Sequence, residues 1–580
     1  MNPTEGHPKF ELENLVQKFT GQEPKTLSGK FAVFEEGRLY IEGTSIPALI
    51  SQYFTHRSGL LLPKHAVIEV APIDYAYRYI PLKEITNLPI PLETIIEIIR
   101  RFDQDDFLSV CSKFTDLSHP SEGTSELEDL IKHSMPNLHS RVSGLLQNNH
   151  KYFGPQATLV LMKLAILNES KEKNLPRIDL PTFILLCLAI QDFFSPERSN
   201  TTDSNLAMEL PANYSIHRKL DPTYEYLQYR RRWEGEDEVS KGLRNAFQES
   251  CGYSPNTLAD FVAGLSMQDR DLRKNFLLAE SDEESAEIEK ALRKISCSAE
   301  KIRQKISSPS TPNFIWDFSV FHEFPVIQRS DGGYVVVEKS LMVNRGLGWP
   351  LIYDSKADES LIHKVALKSE KQSKDIVIES LGNTWKDRIV DGPDIISIFG
   401  GVGIQSADLG IEFENGWVVL EISTFRTPFR ALAAESRKLY KELIDQVAEE
   451  ALQAVSTCEQ LIAHSLNPVK EFRKIPSISK MYPIVVATEK FTTNPLTLCD
   501  IRKEVEDRKG GRNPRIAPVE VVNLEELETL LLMSKTYGLS IVNLLEKKAQ
   551  GSFWSDSINN FLATFYRPQL VALSETKTKS

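Results

Sequence analysis

The stretch SADLGIEFENGWVVLEIST, residues 406–424, constrains the fold of this chain more than any other segment. Apolar and polar residues alternate along it on both sides of Asn415-Gly416, the dipeptide preferred for a two-residue type I′ turn. Alternation of this kind around such a turn is typical of an antiparallel hairpin. The segment therefore predicts two paired strands joined at that dipeptide.

The register of this hairpin brings acidic side chains together. A turn centred on the dipeptide places Asp408 opposite Ser423 and Gly410 opposite Glu421. Because side chains alternate along a strand, these four positions share one face of the hairpin. Two carboxylates at that spacing repel each other unless a cation or a proton lies between them. Oxygen ligands in this arrangement suit Mg²⁺.

A third carboxylate lies on the helix predicted from about residue 358 to residue 381. On a helical projection most of its apolar residues fall on one arc, and the other arc holds the charged residues Lys364, Lys368, Lys371, Asp375 and Glu379. Glu370 is the exception, because it falls near the middle of the apolar arc. An unpaired charge is costly there, so we expect Glu370 to have a partner or a metal in the interior. His363, two turns earlier, falls on nearly the same line.

These residues resemble the PD-(D/E)XK restriction-endonuclease-like nucleases over roughly residues 320–500. In that family an acidic residue leads into a hairpin, and Glu-x-Lys follows on the returning strand. Here Asp408 is followed, after twelve residues, by Glu421-Ile422-Ser423. The resemblance implies a restriction-endonuclease-like α/β domain in the C-terminal half of the chain.

The resemblance also implies a function, namely metal-dependent hydrolysis of phosphodiester bonds in DNA or RNA, with Mg²⁺ or Mn²⁺ as the cofactor. It assigns Asp408, Glu421 and the backbone carbonyl of Ile422 to the metal, and Glu370 to the acidic position of the preceding helix. The formal net charge of the chain is −12, which does not suit binding of nucleic acid through bulk positive charge. We therefore expect a local nucleic-acid site.

The sequence departs from the family pattern at two positions. Ala407 stands where the family often has proline, and Ser423 stands where its lysine positions water and stabilises negative charge. Either a lysine arrives from elsewhere or hydrolysis is lost. Lys438, at the edge of the core face of the following helix, is the expected substitute. Gln446 lies close to that face and is a second candidate to point at the site. The alternative function is a catalytically degenerate nuclease fold that acts as a binding or scaffolding module.

Along the whole chain the patterns predict a mixed α/β protein of several domains, in keeping with its 580 residues. A small α+β domain is expected at 1–120 and a mainly helical domain at 121–306. The nuclease-like α/β domain is expected at 313–540, followed by a helical extension at 541–580. The Ser/Pro-rich segment 307–312 is the predicted linker, because it suits neither a helix nor a sheet.

The patterns also predict the local secondary structure of several shorter segments. Alternation around Glu36-Gly37 predicts a hairpin near the N-terminus. The charged segment 281–306 predicts one polar, exposed helix, since its few isoleucines and leucines keep helical spacing. The apolar run 394–399 predicts a strand that feeds a flexible, glycine-rich turn at 399–403; a nucleotide-binding loop is disfavoured there because no Lys-Ser or Lys-Thr follows.

Two segments offer possible binding surfaces. Residues 224–233 interleave aromatics with arginines, as surfaces that bind single-stranded nucleic acid do. Because acidic residues follow at once, a structural or partner-binding helix is the preferred interpretation. The loop 509–514 is basic, and an ordinary surface loop is preferred over a phosphate contact. The helical N-terminal half is expected to bind a protein partner or to form a homo-oligomer.

The cysteines and the apolar runs indicate in which cellular compartment the protein is expected. The six cysteines are scattered without a CxxC pair and are expected to be reduced, which indicates a cytoplasmic protein. We expect no signal peptide and no membrane partner, because the longest apolar run is shorter than the ~20 residues needed to span a bilayer. A role in prokaryotic defence is implied by the resemblance alone.

Overall fold

A computed structural model describes the chain in separate segments, and every structural statement below concerns these residues. They are 32–35, 38–41, 53–55, 61–63, 78–86, 90–118, 124–147, 150–170, 172, 174–194, 222–266, 276–278, 283–311, 314–399, 406–414, 416–425, 437–466, 479–489, 491, 495–511, 513–550, 557–558, 561–562, 565–566 and 568–569.

The chain divides into two compact units. The first unit holds the described residues up to 358, apart from those between 53 and 63, and the second unit holds the rest. The predicted division into four parts is finer than these two units and stays a prediction. Residues 314–358, expected in the α/β domain, lie in the first unit, and so does the described part of the predicted linker.

The first unit is mainly helical. Its helices are α1 (Leu82–Thr86), α2 (Leu92–Ile99), α3 (Gln104–Ser118), α4 (Thr124–Ser134), α5 (Pro136–Gln147), α6 (Pro155–Leu167), α7 (Leu180–Phe194), α8 (Pro222–Trp233), α9 (Glu238–Cys251), α10 (Pro255–Ser266), α11 (Glu283–Ile295), α12 (Ala299–Lys305), α13 (Ser319–Glu323), α14 (Lys339–Leu347) and α15 (Pro350–Asp354). Helices α6 and α7, which carry two of the longest apolar runs in the sequence, are buried along most of their length and form the centre of a hydrophobic core.

A six-stranded sheet belongs to the same unit, in the order β1-β2-β7-β10-β9-β8. Its strands are β1 (Ala32–Glu35), β2 (Arg38–Ile41), β7 (Phe276–Leu278), β8 (Ser296–Ser298), β9 (Val326–Gln328) and β10 (Tyr334–Val336), and a separate pair is formed by β5 (Arg78–Tyr79) and β6 (His150–Lys151). Strands β1 and β2 pair in antiparallel fashion with Glu35 opposite Arg38, which confirms the hairpin predicted around Glu36-Gly37.

The single exposed helix predicted over 281–306 is wrong in two respects. The segment is broken into α11 and α12 by β8, which pairs in parallel with β9. The apolar residues Ile288, Leu292 and Ile302 are also buried, so the segment is amphipathic rather than exposed throughout. Charged residues occupy the solvent face, and the few apolar ones decide how the segment packs.

Lys163 of α6 is fully buried in the core of this unit. Its ammonium group donates hydrogen bonds to the backbone carbonyl oxygens of Phe314 and Asp317, the latter at 2.8 Å, and lies 4.2 Å from the centroid of the Phe314 ring. Burial lowers the pKa of Lys163 to about 7. This lysine therefore fixes the backbone just after the Ser/Pro-rich segment to the helical core.

The second unit is built around a five-stranded mixed sheet in the order β11-β12-β13-β14-β15. Its strands are β11 (Ile389–Asp391), β12 (Leu409–Phe413), β13 (Gly416–Ser423), β14 (Lys480–Ala487) and β15 (Glu520–Asn523), and a separate antiparallel pair is formed by β3 (Tyr53–Thr55) and β4 (Leu61–Pro63). The first three strands of the sheet are antiparallel to one another, and β13, β14 and β15 are parallel.

Helices connect and cover these strands. They are α16 (Glu359–Leu381), α17 (Gly392–Phe399), α18 (Arg437–Leu466), α19 (Pro495–Lys509), α20 (Leu524–Tyr537) and α21 (Ile541–Gln550), together with a 3-10 helix at Asn383–Arg388. Helix α18 crosses from β13 to the parallel β14 and packs on both strands. On the other face of the sheet, α20 and α21 share an apolar core with β12, β13 and β14.

The strand predicted over 394–399 is wrong, because these residues form most of α17. Pro393 in the first turn, followed by Asp394, favours a helix start, whereas a short apolar run alone does not distinguish a strand from a helix. The long helix before the hairpin is confirmed at Glu359–Leu381. The glycine-rich turn predicted at 399–403 lies, beyond Phe399, outside the described residues.

A buried ionic cluster ties the far edge of the sheet to its helices. Glu520 of β15 accepts hydrogen bonds from Arg502 of α19 at 2.9 Å and from the Lys548 ammonium group of α21 at 2.8 Å. All three side chains are buried. Two cationic side chains thus contact one carboxylate. Removal of that carboxylate would leave both positive charges buried without the negative charge of Glu520.

The fold class is mixed α/β, as predicted from the sequence. In the part of the chain that the structure describes, no helix combines the length and the apolar character needed to cross a lipid bilayer.

Candidate functional site

The hairpin β12–β13 is present, but its register differs from the predicted one. Leu409 pairs with Leu420, and Phe413 pairs with Gly416. Gly416 is therefore a paired strand residue and not part of the turn. Continuing this register by one residue places Asp408 opposite Glu421, where the sequence analysis expected Ser423.

The neighbouring strand β14 explains why residue 416, inside the strand, is a glycine. A Cβ atom added to Gly416 would come within 2.6 Å of the backbone oxygen of Lys480 in β14. Glycine is thus required at this position by close approach of two strands, which sequence alternation does not reveal. Each residue of β12 is paired two residues earlier on β13 than predicted. Because side chains alternate with a period of two, a shift of two residues leaves the predicted faces unchanged. Asp408, Gly410, Glu421 and Ser423 still share one face.

Asp408 is held in place by backbone contacts at the start of β12. Its carboxylate oxygen Oδ2 accepts a hydrogen bond from the Ile422 backbone N–H at 2.8 Å. Its carbonyl oxygen accepts one from the Gly392 N–H, also at 2.8 Å. The Ala407 N–H donates to the Thr457 hydroxyl of α18 at 2.9 Å. Burial raises the pKa of Asp408, while the Ile422 hydrogen bond and the charge of Lys374 lower it.

Glu421 is the most buried carboxylate of the group, with 7 % of its surface exposed. Its Oε2 atom is buried and has no hydrogen-bond partner among the described residues. Burial is the largest cause of a rise in its pKa to about 9, and the charges of Asp408, Glu450 and Glu370 add to it. Glu421 therefore holds a proton at neutral pH unless a cation replaces that proton.

Glu370 is half-buried, where its place on the apolar arc of α16 had predicted an interior position. Its Oε1 atom accepts a hydrogen bond from the Thr424 backbone N–H at 3.0 Å, just beyond the end of β13. Burial raises its pKa, the Thr424 contacts lower it, and the charges of Asp408 and Glu450 raise it further. The predicted partner exists, and it is a backbone group at the carboxyl end of the strand that carries Glu421.

A fourth carboxylate, Glu450 of α18, was missed by the sequence analysis. It accepts a hydrogen bond from the Ser423 hydroxyl, and burial and the charge of Asp408 raise its pKa. A signal for it was available, because the buried residues Val447, Ala451 and Ala454 have helical spacing around position 450. An acidic residue within such an arc is expected to face the sheet.

The remaining residues named from the sequence differ in how close they lie to the carboxylates. Ser423 is at the site, where its hydroxyl contacts Glu450. The side chain of Lys438 lies outside the described residues, so its proposed role stays a prediction. Gln446 and His363 are both exposed, and neither points into the interior with Glu421 and Glu370. The expectation for Gln446 is therefore wrong, because helix α18 presents Leu443 and Val447 to the sheet instead.

Four carboxylates thus meet at the carboxyl end of β13, and the charges of Asp408, Glu370 and Glu450 each raise the pKa of Glu421. Among the described residues no three histidine, cysteine, aspartate or glutamate side chains form a ready-made set of metal ligands. The residues nevertheless suit a divalent cation, because the donors are all oxygens and the buried Oε2 atom of Glu421 lacks a partner. A hard cation such as Mg²⁺ or Mn²⁺ matches this donor set better than a soft one.

The two possible binding surfaces named from sequence take structural roles where they are described. Tyr226, Tyr229 and Trp233 of α8 are buried and stack along the helix, which agrees with the structural half of the preferred interpretation; partner binding by this helix stays a prediction. The Lys509 ammonium group at the start of the basic loop donates to Glu459 of α18 at 2.7 Å. These contacts leave the carboxylate group as the candidate site.

The sequence matches no family model and no curated protein.

Proposed function

We propose that the second unit hydrolyses phosphodiester bonds of DNA or RNA with the help of Mg²⁺ or Mn²⁺. The observation that carries this proposal is the partnerless Oε2 atom of Glu421, buried beside three other carboxylates. Burial of that much acidic charge is costly unless a proton or a cation neutralises it. Acidic groups kept at such a cost are more common at functional sites than in structural cores.

Asp408 and Glu421 would hold the cation, with Glu370 and Glu450 at its periphery. The cation, when bound, would supply stabilisation of negative charge on the phosphoryl group and a water molecule of lowered pKa. The chain's own residues position these groups. Asp408 and Glu370 each accept a backbone hydrogen bond, from Ile422 and Thr424, and so fix the end of β13 around Glu421.

The proposal is tested with the full-length protein and four substrates: plasmid DNA, single-stranded DNA, duplex RNA and single-stranded RNA. We expect cleavage of at least one of them with Mg²⁺ or Mn²⁺ and none with EDTA. Asp408→Asn and Glu421→Gln should each reduce the rate by at least about a hundredfold, as loss of a positioned charged group does. Glu379→Gln, an exposed carboxylate on α16, is the matched control and should leave the rate unchanged.

The result decides against the proposal if cleavage survives both substitutions, since another site or a contaminating protein would then be responsible. Lys438→Ala belongs in the same experiment because it tests the lysine that the sequence favoured. A loss of about a hundredfold is expected if its ammonium group reaches the reaction, and an unchanged rate would eliminate it.

A second candidate function is a catalytically degenerate nuclease fold that binds nucleic acid or a protein without cutting. The observation that favours it is Ser423, whose hydroxyl is uncharged and is engaged by Glu450. Nucleic acid retained but uncut in the presence of Mn²⁺, with unaltered retention by the Glu421→Gln variant, would support this function over hydrolysis.

We place this activity in the cytoplasm as part of the same proposal. All six cysteines are free, as expected for a reducing compartment. Proteins that enter an oxidising compartment commonly pair such residues. The first unit is proposed to bind a protein partner or a second copy of the chain.

A further inference from the structure

Lys374 lies on the same side of α16 as Glu370, one helical turn later. Its ammonium group donates a hydrogen bond to Oδ1 of Asp391, the last residue of β11. Asp391 is paired with Leu409, directly next to Asp408 in the chain, and the Gly392 N–H donates to the Asp408 carbonyl oxygen at 2.8 Å. These contacts bring a lysine from the long helix to the acidic end of the sheet.

The charge of Lys374 acts on the candidate site. It lowers the pKa of Asp408 against the effect of burial, whereas Asp391 raises it. The main electrostatic effects on Glu421 come from other carboxylates. A phosphodiester would add a further negative charge to this group, and a positive side chain at its edge would stabilise the bound phosphodiester in addition to any cation.

The ion pair between Lys374 and Asp391 is partly exposed to solvent. The Asp391 side chain is 44 % exposed and that of Lys374 is 20 % exposed. Water therefore reaches the Asp391 end of this ion pair, so Asp391 does not enclose the ammonium group and a second acceptor can approach it. A phosphate oxygen is a strong acceptor for an ammonium group, since both ends of the hydrogen bond are charged.

We propose that Lys374 binds a phosphate oxygen of the nucleic-acid backbone and that Asp391 holds the lysine at the edge of the site until the substrate arrives. This inference rests on the proposed nuclease function. The exchange involves no covalent step, because the ammonium group leaves one oxygen acceptor and takes another. Asp391 therefore acts as a positioning residue and as a competitor of the substrate.

The test measures both cleavage and binding by the full-length protein. Cleavage is followed in Mg²⁺, and binding of a labelled oligonucleotide is followed in Ca²⁺ over a series of salt concentrations. Lys374→Gln should reduce the second-order rate of cleavage by about tenfold to a hundredfold, the effect of one hydrogen bond between charged groups. It should also flatten the slope of log affinity against log salt by about 0.7 to 0.9, which corresponds to one phosphate contact.

Three further variants separate this role from a structural one. Lys374→Arg keeps the charge and should restore most of the slope. Lys371→Gln makes the same charge change at an exposed position on the same helix and should leave the slope unaltered. Asp391→Asn frees the lysine and should tighten binding, but only when Lys374 is present, so the two substitutions should not be additive.

The outcomes for the two proposals are distinguishable. Cleavage that depends on Asp408 and Glu421, with an unaltered rate and slope in Lys374→Gln, overturns the role of Lys374 and leaves the nuclease function standing. A lower rate with an unaltered slope also overturns it, because the lysine would then act only through the fold. A folded protein that neither binds nor cuts nucleic acid overturns both.

Discussion

Replacing Glu421 by glutamine should make the metal-free protein more stable above pH 5, although the substitution removes a residue of the candidate site. The ordinary pKa of a glutamate carboxyl group is 4.5, and burial beside three other carboxylates raises that of Glu421 to about 9. The folded state therefore binds a proton that the unfolded state releases. Glutamine imitates the protonated side chain in size and has no charge to bury.

The sign and the size of the effect follow from linkage. A group whose folded pKa is raised supports the folded state fully below pH 4.5, and this support is lost as the pH rises towards 9. The loss is about 1.4 kcal/mol for each pH unit between the two values. At pH 7 it reaches about 3 kcal/mol, which for a unit of this size corresponds to roughly 6–12 °C in melting temperature.

The measurement is thermal unfolding of the wild type and of Glu421→Gln in EDTA from pH 5 to pH 8. The two melting temperatures should nearly coincide at pH 5 and separate as the pH rises, with the variant higher. Addition of Mg²⁺ at pH 8 should raise the melting temperature of the wild type more than that of the variant. Glu379→Gln, on the exposed face of α16, should follow the wild type at every pH. A difference that stays constant from pH 5 to pH 8 would mean that Glu421 is already ionised in the fold and would refute the reasoning.

Three other substitutions test the packing. Lys163→Ala should lower the free energy of unfolding by about 3–5 kcal/mol in urea denaturation, because it leaves a cavity and takes the donor from two backbone carbonyls; a loss below 1 kcal/mol would contradict the buried position. Glu520→Gln should cost about 3 kcal/mol by the same assay, since Arg502 and Lys548 would remain buried without their carboxylate, and a neutral result would contradict this. Gly416→Ala should cost about 1–3 kcal/mol, because the new methyl group would meet the backbone of the neighbouring strand, and unaltered unfolding would show that the strands separate easily.

The local patterns in the sequence were sufficient for several elements of the second unit. Strict alternation predicted the hairpin and the face that Asp408 and Glu421 share, because strand side chains alternate with a period of two whatever the register. The apolar arc of α16 predicted the helix and the side of it on which Glu370 is half-buried, because helical periodicity depends only on neighbours within a few turns. Metal binding and hydrolysis remain predictions.

Other features depend on residues far apart in the chain. The need for glycine at position 416 follows from the close carbonyl oxygen of Lys480, which comes from β14 after the long crossover helix. The helical state of 394–399 was ambiguous in the sequence because the five apolar and small residues after Asp394 fit either period. The break at β8 likewise exists because β9 offers it a pairing partner.

The sequence by itself determined which acidic side chains point to one face of a hairpin and which glutamate of the preceding helix lies on its apolar arc. Only the tertiary structure decided that Asp408 lies opposite Glu421, that Glu450 joins them from α18, and that Lys374 reaches Asp391. The physical reason is the range of the interactions. Periodicity is a property of neighbouring residues, whereas the charge around a buried carboxylate depends on how separate helices and strands pack.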